Sequence, residues 1–155
     1  MDFSSILEDA KSTISSFKDQ NPDGAIIIWG ATATGKSRLS VELSAFFDME
    51  VISSDSRQIF KKMDIGTDKI PTEIRAKIPH HQIDIVEPDE TYTAGQRKEA
   101  ADQQLDAILA RGKVPFIVGG TGLYIDTIYK NFSLPECPPD PLLRAELEKK
   151  EAQEP

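Results

Sequence analysis

Apolar residues along the chain fall into two patterns, a helical one and one of short continuous runs. Phe3, Ile6, Leu7, Ala10, Ile14 and Phe17 recur at helical spacing, which predicts an amphipathic helix at the N-terminus. Asn21-Pro22-Asp23-Gly24 is a turn signal that ends it. Residues 25–29 then read as a short buried strand, followed by a glycine-rich turn and a helix carrying Leu39, Leu43, Phe46 and Phe47. A second strand is expected over 50–53, ending at Asp55. Signals over 60–79 are mixed and suggest loops with one short helix, before a strand over 81–86 closed by Pro88. Thr93 and Gln96 have capping-box spacing, and Ala101, Leu105, Ile108 and Leu109 supply the apolar stripe of the helix they open. Gly112 ends it, and 114–118 is a further strand. Gly119-Gly120-Thr121-Gly122 turns into a helix bearing Leu123, Tyr124, Ile125 and Ile128. After a proline-rich loop over 131–140, Asp140-Pro141 reads as a cap and first-turn proline for a charged helix over 142–152. Strands alternating with helices imply parallel pairing, hence an α/β fold of three layers, α/β/α, around a mainly parallel sheet.

Composition narrows the class. The chain has 155 residues, 39% of them hydrophobic and 28% charged, which suits one globular domain. Its longest apolar runs, 25–29 and 114–118, are far too short to span a bilayer, so no membrane association is expected. No secretory signal is visible, because Glu8, Asp9, Lys11 and Lys18 break up the first residues. The sole cysteine, Cys137, permits no internal disulfide and fits the reducing cytoplasm. A net charge of −8 argues against strong nucleic-acid binding by these residues alone. Arg38, Arg57, Lys61, Lys62 and Lys69 are close in sequence and read either as a local basic cleft or as a solvated charged face.

The most specific chemistry lies in Gly30-Ala31-Thr32-Ala33-Thr34-Gly35-Lys36-Ser37, which fits the phosphate-binding loop pattern (P-loop). Such a loop curls so that successive backbone N–H groups point inward at phosphate oxygens. Gly30 and Gly35 permit backbone geometry that a side chain would obstruct, and the following helix turns its positive end toward the anion. Lys36 adds a mobile positive charge, and the Ser37 hydroxyl is placed to bind Mg²⁺. The context, buried strand before and amphipathic helix after, supports a polyphosphate or nucleotide (ATP-type) site. The loop itself does not say which phosphate compound. A kinase or NTPase usually adds an acid at the end of a later apolar strand. Here the strand over 114–118 runs instead into Gly119-Gly120-Thr121, and the acid, Asp55, follows the second strand.

Residues 30–37, then Ser54-Asp55-Ser56-Arg57-Gln58, Met63-Asp64-Ile65-Gly66-Thr67, His80-His81, Ile83-Asp84, Pro88 and Val118-Gly119-Gly120-Thr121-Gly122-Leu123-Tyr124 occur in an order that closely resembles the tRNA dimethylallyltransferases, also called tRNA isopentenyltransferases. The resemblance runs from Ala25 to about Leu147 and divides the chain into an N-terminal helix outside it (1–24), a P-loop α/β core (25–130) and the start of a helical tRNA-binding insertion (131–155). It implies transfer of a dimethylallyl group from dimethylallyl diphosphate to the exocyclic amine of an adenine beside the tRNA anticodon, assisted by Mg²⁺. The phosphate loop would then hold the donor's diphosphate. Asp55 is implied as the base that takes the amine's proton, and Ser56, Arg57 and Gln58 as part of the segment touching the target adenosine. Without the resemblance, Asp55 would read as a cap for a short helix at Ser56.

Thr121 is implied at the transfer site, although it could equally cap the helix at Gly122, and Arg144 is implied in the tRNA-bound site, although it could be one more surface charge. His80 and His81 read as structural, since the chain has no other His and one Cys to complete a zinc set. Tyr92 and Tyr124 read as core or pocket wall, and Phe60 stands where the family more often has Tyr. Family members continue past the position of Pro155, so the resemblance implies a nearly complete donor site, weak tRNA holding, and an apolar sheet edge that favours self-association. Alternatives from the same motifs are a prenyltransferase of free adenine nucleotides, a small-molecule kinase, and a non-catalytic diphosphate-binding remnant.

Overall fold

The computed structural model describes residues 2–132 and 140–152. Helix α1 (Phe3–Gln20) ends at Asn21, and strand β1 (Ile26–Trp29) follows. After the glycine loop come α2 (Lys36–Leu43), β2 (Met49–Ser53), the short α3 (Thr72–Arg75) and β3 (His80–His81). The chain continues through α4 (Ala94–Ala110), β4 (Val114–Gly119), α5 (Gly122–Tyr129) and α6 (Pro141–Glu151). The four-stranded sheet has the order β1-β4-β2-β3, and all three strand pairs are parallel. Val51 lies beside Phe116 and Ile52 beside Ile117, so alternate residues of the central strands face opposite layers.

One layer joins Ile14, Leu43, Met49, Val51, Phe116 and Val118, which packs α1 and α2 on one face. The other joins Ile52, Ala101, Ile108, Ile117 and Ile125, which packs α4 and α5 on the opposite face. This is the expected three-layer α/β/α arrangement. Two capping expectations also hold: Thr93 and Gln96 form the reciprocal box at α4, and Asp140 accepts from the N–H groups of Leu142 and Leu143 at α6. Among the described residues β1 is an outer strand, with Ile27 exposed and Trp29 64% exposed. No helix among them is long and apolar enough to cross a membrane.

Two expectations need correction, and a third reading, left open, is resolved. The strand expected over 81–86 is only His80–His81, because Gln82 and Asp84 adopt left-handed backbone (φ 63° and 56°) that no strand continues through. Asp84 is turned to receive Lys69 Nζ at 2.6 Å and Arg75 Nη1 at 2.7 Å, and only Val86 returns to a bridge, with Phe60. Helix α2 stops at Leu43, so Phe46 and Phe47 lie in the turn beyond it, where Phe47 packs on Phe116 with ring centroids 6.2 Å apart. The third is the basic stretch, which is not one cleft. Lys69 is buried between Asp64 and Asp84, Lys61 and Lys62 pair with Glu87, and Arg57 is exposed. Most of the proline-rich segment, with Cys137, lies outside the described residues.

Glu50 anchors the end of the sheet away from the glycine loop. Its buried carboxylate receives Arg111 Nη2 and His81 Nε2, each at 2.7 Å, with Lys113 at 3.4 Å. Burial alone would raise its pKa, but the hydrogen bonds from Arg111, His81 and Lys113 outweigh that and hold it at about 2. The folded value lies below the ordinary 4.5, so the cluster's stabilisation is complete above that pH and is lost as pH falls through about 2. Glu50→Gln should therefore cost about 3–5 kcal/mol at neutral pH, the cost of breaking a buried pair. Urea unfolding of both proteins should show that gap narrowing as pH falls below 4.5. A gap that stays constant with pH would contradict the assignment.

Candidate active site

The glycine loop joins β1 to α2. Gly35 takes a left-handed backbone (φ 86°) immediately before Lys36, the first residue of α2. Ala33 is left-handed as well (φ 62°), so the loop turns back on itself. Thr34 Oγ1 donates to the Ala31 carbonyl at 2.8 Å, and Lys36 Nζ donates to the same oxygen at 2.5 Å. Thr32, Ala33, Gly35, Lys36 and Ser37 all line a cleft of about 310 Å³.

Asp55 lines the same cleft from the other side. It leaves the carboxyl end of β2 half-buried, and its Oδ1 accepts the N–H groups of Arg57 at 2.8 Å and Gln58 at 3.3 Å. Asp55 therefore caps a turn, not the short helix that capping alone would predict. Among the described residues its Oδ2 accepts no hydrogen bond, which leaves one oxygen for chemistry. Gln58 also reaches the cleft, but its amide is engaged at both ends. Ser53 Oγ donates to its Oε1 at 3.0 Å, and its Nε2 donates to the Thr67 carbonyl at 3.2 Å. Gln58 thus ties the Asp55 turn to the Thr67–Asp68 wall.

Thr121, at the end of β4, does not line the cleft but braces the Asp55 turn. Its Oγ1 accepts the Ser56 N–H at 3.2 Å, and its own N–H donates to the Ser54 carbonyl at 3.1 Å. The hydroxyl is thus turned to the Asp55 segment and does not cap α5. Gly119 and Gly120 line the cleft between the loop and Asp55. Arg144 is not brought here; it lies on α6, all of whose residues are exposed, and does not line the cleft.

Two residues named in the sequence only as part of a basic stretch and as a structural histidine also line the cleft. Arg38 lines the cleft with its guanidinium 3.9 Å from the Phe3 ring centroid, so α1 packs against a cleft residue. His80 lines it too; burial lowers its pKa, and its Nδ1 lies 2.6 Å from the Ile78 carbonyl, which fits a neutral structural imidazole. Tyr124 proves to be a platform, with the Arg97 guanidinium 4.5 Å from its ring centroid. Arg97 did carry a sequence signal: it lies one helical repeat before Ala101 on the apolar stripe of α4, where a cation is out of place.

The donor set bears on Mg²⁺. Among the described residues no cluster of three or more His, Cys, Asp or Glu side chains could hold a metal alone. The cleft offers the Ser37 hydroxyl and the carboxylates of Asp55 and Asp68. That sparse set suits Mg²⁺, which keeps several waters and is commonly bound by one or two side chains together with substrate phosphates.

A parallel α/β sheet with a glycine-rich phosphate loop after its first strand defines a P-loop α/β protein. Comparison with known proteins goes further. The IPP transferase family model matches residues 58–155, and an isopentenyl transferase model matches 24–76. The chain belongs to the IPP transferase family. It is 48% identical over 123 residues to the tRNA dimethylallyltransferase of Bacillus licheniformis, covering 79% of this chain and 39% of that one. Over 103 residues it is 53% identical to the tRNA dimethylallyltransferase of Caldanaerobacter subterraneus, covering 66% and 33%. Among solved structures, the tRNA isopentenylpyrophosphate transferase of Bacillus halodurans superposes with a TM-score of 0.70 at 40% identity, covering 84% of this chain and 43% of that one. A eukaryotic dimethylallyltransferase acting on tRNA superposes at 0.69 with 36% identity, covering 84% and 33%. The chain spans about two fifths of the length of the curated relatives it matches.

The site depends on a close approach at Gly119. A Cβ there would sit 2.3 Å from the Ser54 carbonyl carbon and oxygen, which are backbone and cannot swing away. Gly119→Ala should destabilise the fold by about 1–3 kcal/mol through overpacking. Denaturant titration measures this directly; an unchanged midpoint would show that the β2 and β4 ends do not meet this closely.

Proposed function

We propose that this chain carries the donor-binding and proton-accepting residues of a tRNA dimethylallyltransferase. The observation that supports it most is the sharing of one cleft by the glycine loop and the half-buried Asp55. A kinase needs a hydroxyl acceptor beside a nucleotide's last phosphate. A prenyl transfer needs an anchored diphosphate and, across from it, a base for an amine. The glycine loop and Asp55 fit the second combination, and the family match favours it over the first.

In this reading Lys36 and the backbone N–H groups of 31–37 hold the diphosphate and neutralise the charge that grows as it leaves. Ser37 would hold Mg²⁺, which when bound draws further electron density from the departing diphosphate. The allylic C1–O bond breaks with its electron pair going to the diphosphate, and the adenine amine forms a new N–C1 bond. The amine's lone pair is delocalised into the purine, so its proton must leave as that bond forms. Asp55 Oδ2 takes it, while Oδ1, tied to the N–H groups of Arg57 and Gln58, fixes the carboxylate's orientation. Thr121 holds the turn that carries Asp55 and borders the transfer path. Ser56 and Arg57 would face the adenosine, and Arg144 would contact tRNA. With a net charge of −8, these residues should hold the donor better than the tRNA.

The test uses radiolabelled dimethylallyl diphosphate with either tRNA or AMP as acceptor, together with calorimetry of donor binding. Labelled tRNA and unlabelled AMP are expected; the reverse would assign the site to free nucleotides. Lys36→Ala should abolish measurable donor binding. Asp55→Asn should keep donor affinity and lose about 10²–10⁴-fold in turnover, since Asn can orient but cannot accept the proton. Near-normal turnover in Asp55→Asn would reduce Asp55 to a turn cap.

A further inference from the structure

Arg97 is the least expected charge in the molecule. It is 3% exposed, on the face of α4 that also buries Ala101 and Ile108. Its Nη2 donates to the Ser53 carbonyl at 2.6 Å, and its guanidinium lies over the Tyr124 ring. Its Nη1 is buried without a hydrogen-bond partner, and among the described residues no carboxylate lies within ion-pair distance of it. Burial lowers its pKa, and the groups that oppose this are Tyr124, Tyr92 and Asp55.

Packing alone does not account for such a residue. A buried cation without a carboxylate is expensive, and an apolar side chain of similar volume would fill the same space at less cost. What Arg97 adds is reach. One side chain joins α4, the last residue of β2 and the first turn of α5. Those are the elements from which the Asp55 turn and the Thr121 turn emerge. Ser53 is followed by Ser54, whose N–H donates to Val118 and whose carbonyl receives Thr121 N–H. Holding the Ser53 carbonyl therefore fixes the base of the ladder on which Asp55 rides.

We propose that Arg97 is a positioning residue for Asp55, acting through the Ser53 carbonyl and the Tyr124 ring to hold the Ser54–Ser56 segment against Thr121. The inference rests on the transfer reaction proposed above, in which Asp55 must meet the acceptor amine at a defined place. Misplacing a reacting group by about 1 Å can cost on the order of 100-fold in rate.

The test compares wild type, Arg97→Met and Arg97→Lys by two measurements. Amide hydrogen exchange reads the turn itself and needs no turnover. In Arg97→Met the Ser56 and Thr121 amides should exchange at least about tenfold faster, while amides of Leu39 and Leu43 in α2 stay at the wild-type rate. Arg97→Lys, which can still donate to the Ser53 carbonyl, should recover part of the protection. In the transfer assay Arg97→Met should lose about 10- to 100-fold in kcat with donor KM within about threefold of wild type. Unchanged exchange at Ser56 and Thr121 would overturn the inference. So would faster exchange spread equally over α2 and the whole sheet, which marks a purely structural arginine. A wild-type chain that transfers no label would count against the proposed reaction, and the exchange pattern would still decide the role of Arg97.

Discussion

The candidate site hangs on the seam between β2 and β4. The two central strands run parallel from Met49 beside Val114 to Ser53 beside Val118. The pairing then continues beyond the regular strands. Ser54 N–H reaches the Val118 carbonyl at 2.7 Å, Thr121 N–H reaches the Ser54 carbonyl, and Ser56 N–H reaches the Thr121 hydroxyl. Gly119 allows the two backbones to come this close. Parallel sheets gather their loops at the carboxyl ends of the strands, so the same seam sets Asp55, Gly119 and Gly120 on one cleft with the glycine loop after β1.

The charges divide by role. Glu50 with Arg111, His81 and Lys113, and Lys69 with Asp64, Asp84 and Arg75, are consumed in internal ion clusters. The first secures the amino end of β2; the second pins the loop that becomes the Thr67–Asp68 wall of the cleft. The cations that line the cleft are Lys36 and Arg38. The carboxylates of Asp55 and Asp68 line it as well, so an anion there would rest on Lys36 and the backbone of the glycine loop and not on an excess of positive charge. Sequence proximity did not foretell this division: Lys61, Lys62 and Lys69 follow Arg57 along the chain, yet all three are taken up in ion pairs.

Local features were legible and long-range ones were not. The glycine loop between a strand and a helix could be read directly because its pattern lies within eight adjacent residues and the elements that flank them. The Thr93–Gln96 capping box and the Asp140 cap were readable for the same reason. Asp55 was different: its place after a strand suggested only a cap, and the family resemblance was needed to propose a base. The ladder from Ser54 to Thr121 joins residues about 65 positions apart, a separation no local pattern reveals. The strand expected over 81–86 failed because long-range ion pairs to Asp84 compete with extended backbone there, and those pairs win. Arg97 was visible as a charge on an apolar stripe, yet its partners on β2 and α5 appear only once the chain is folded.

One cleft joins the glycine loop to the Asp55 turn, and in the proposed reaction it holds the donor's diphosphate. Titration of the isotope-labelled chain with inorganic diphosphate and Mg²⁺, followed by backbone amide NMR, tests that most directly. The amides of residues 31–37 should shift together with those of Gly119, Gly120 and Asp55, all at one affinity. Shifts confined to other faces of the sheet, or a glycine loop that responds while Gly119, Gly120 and Asp55 stay still, would contradict it.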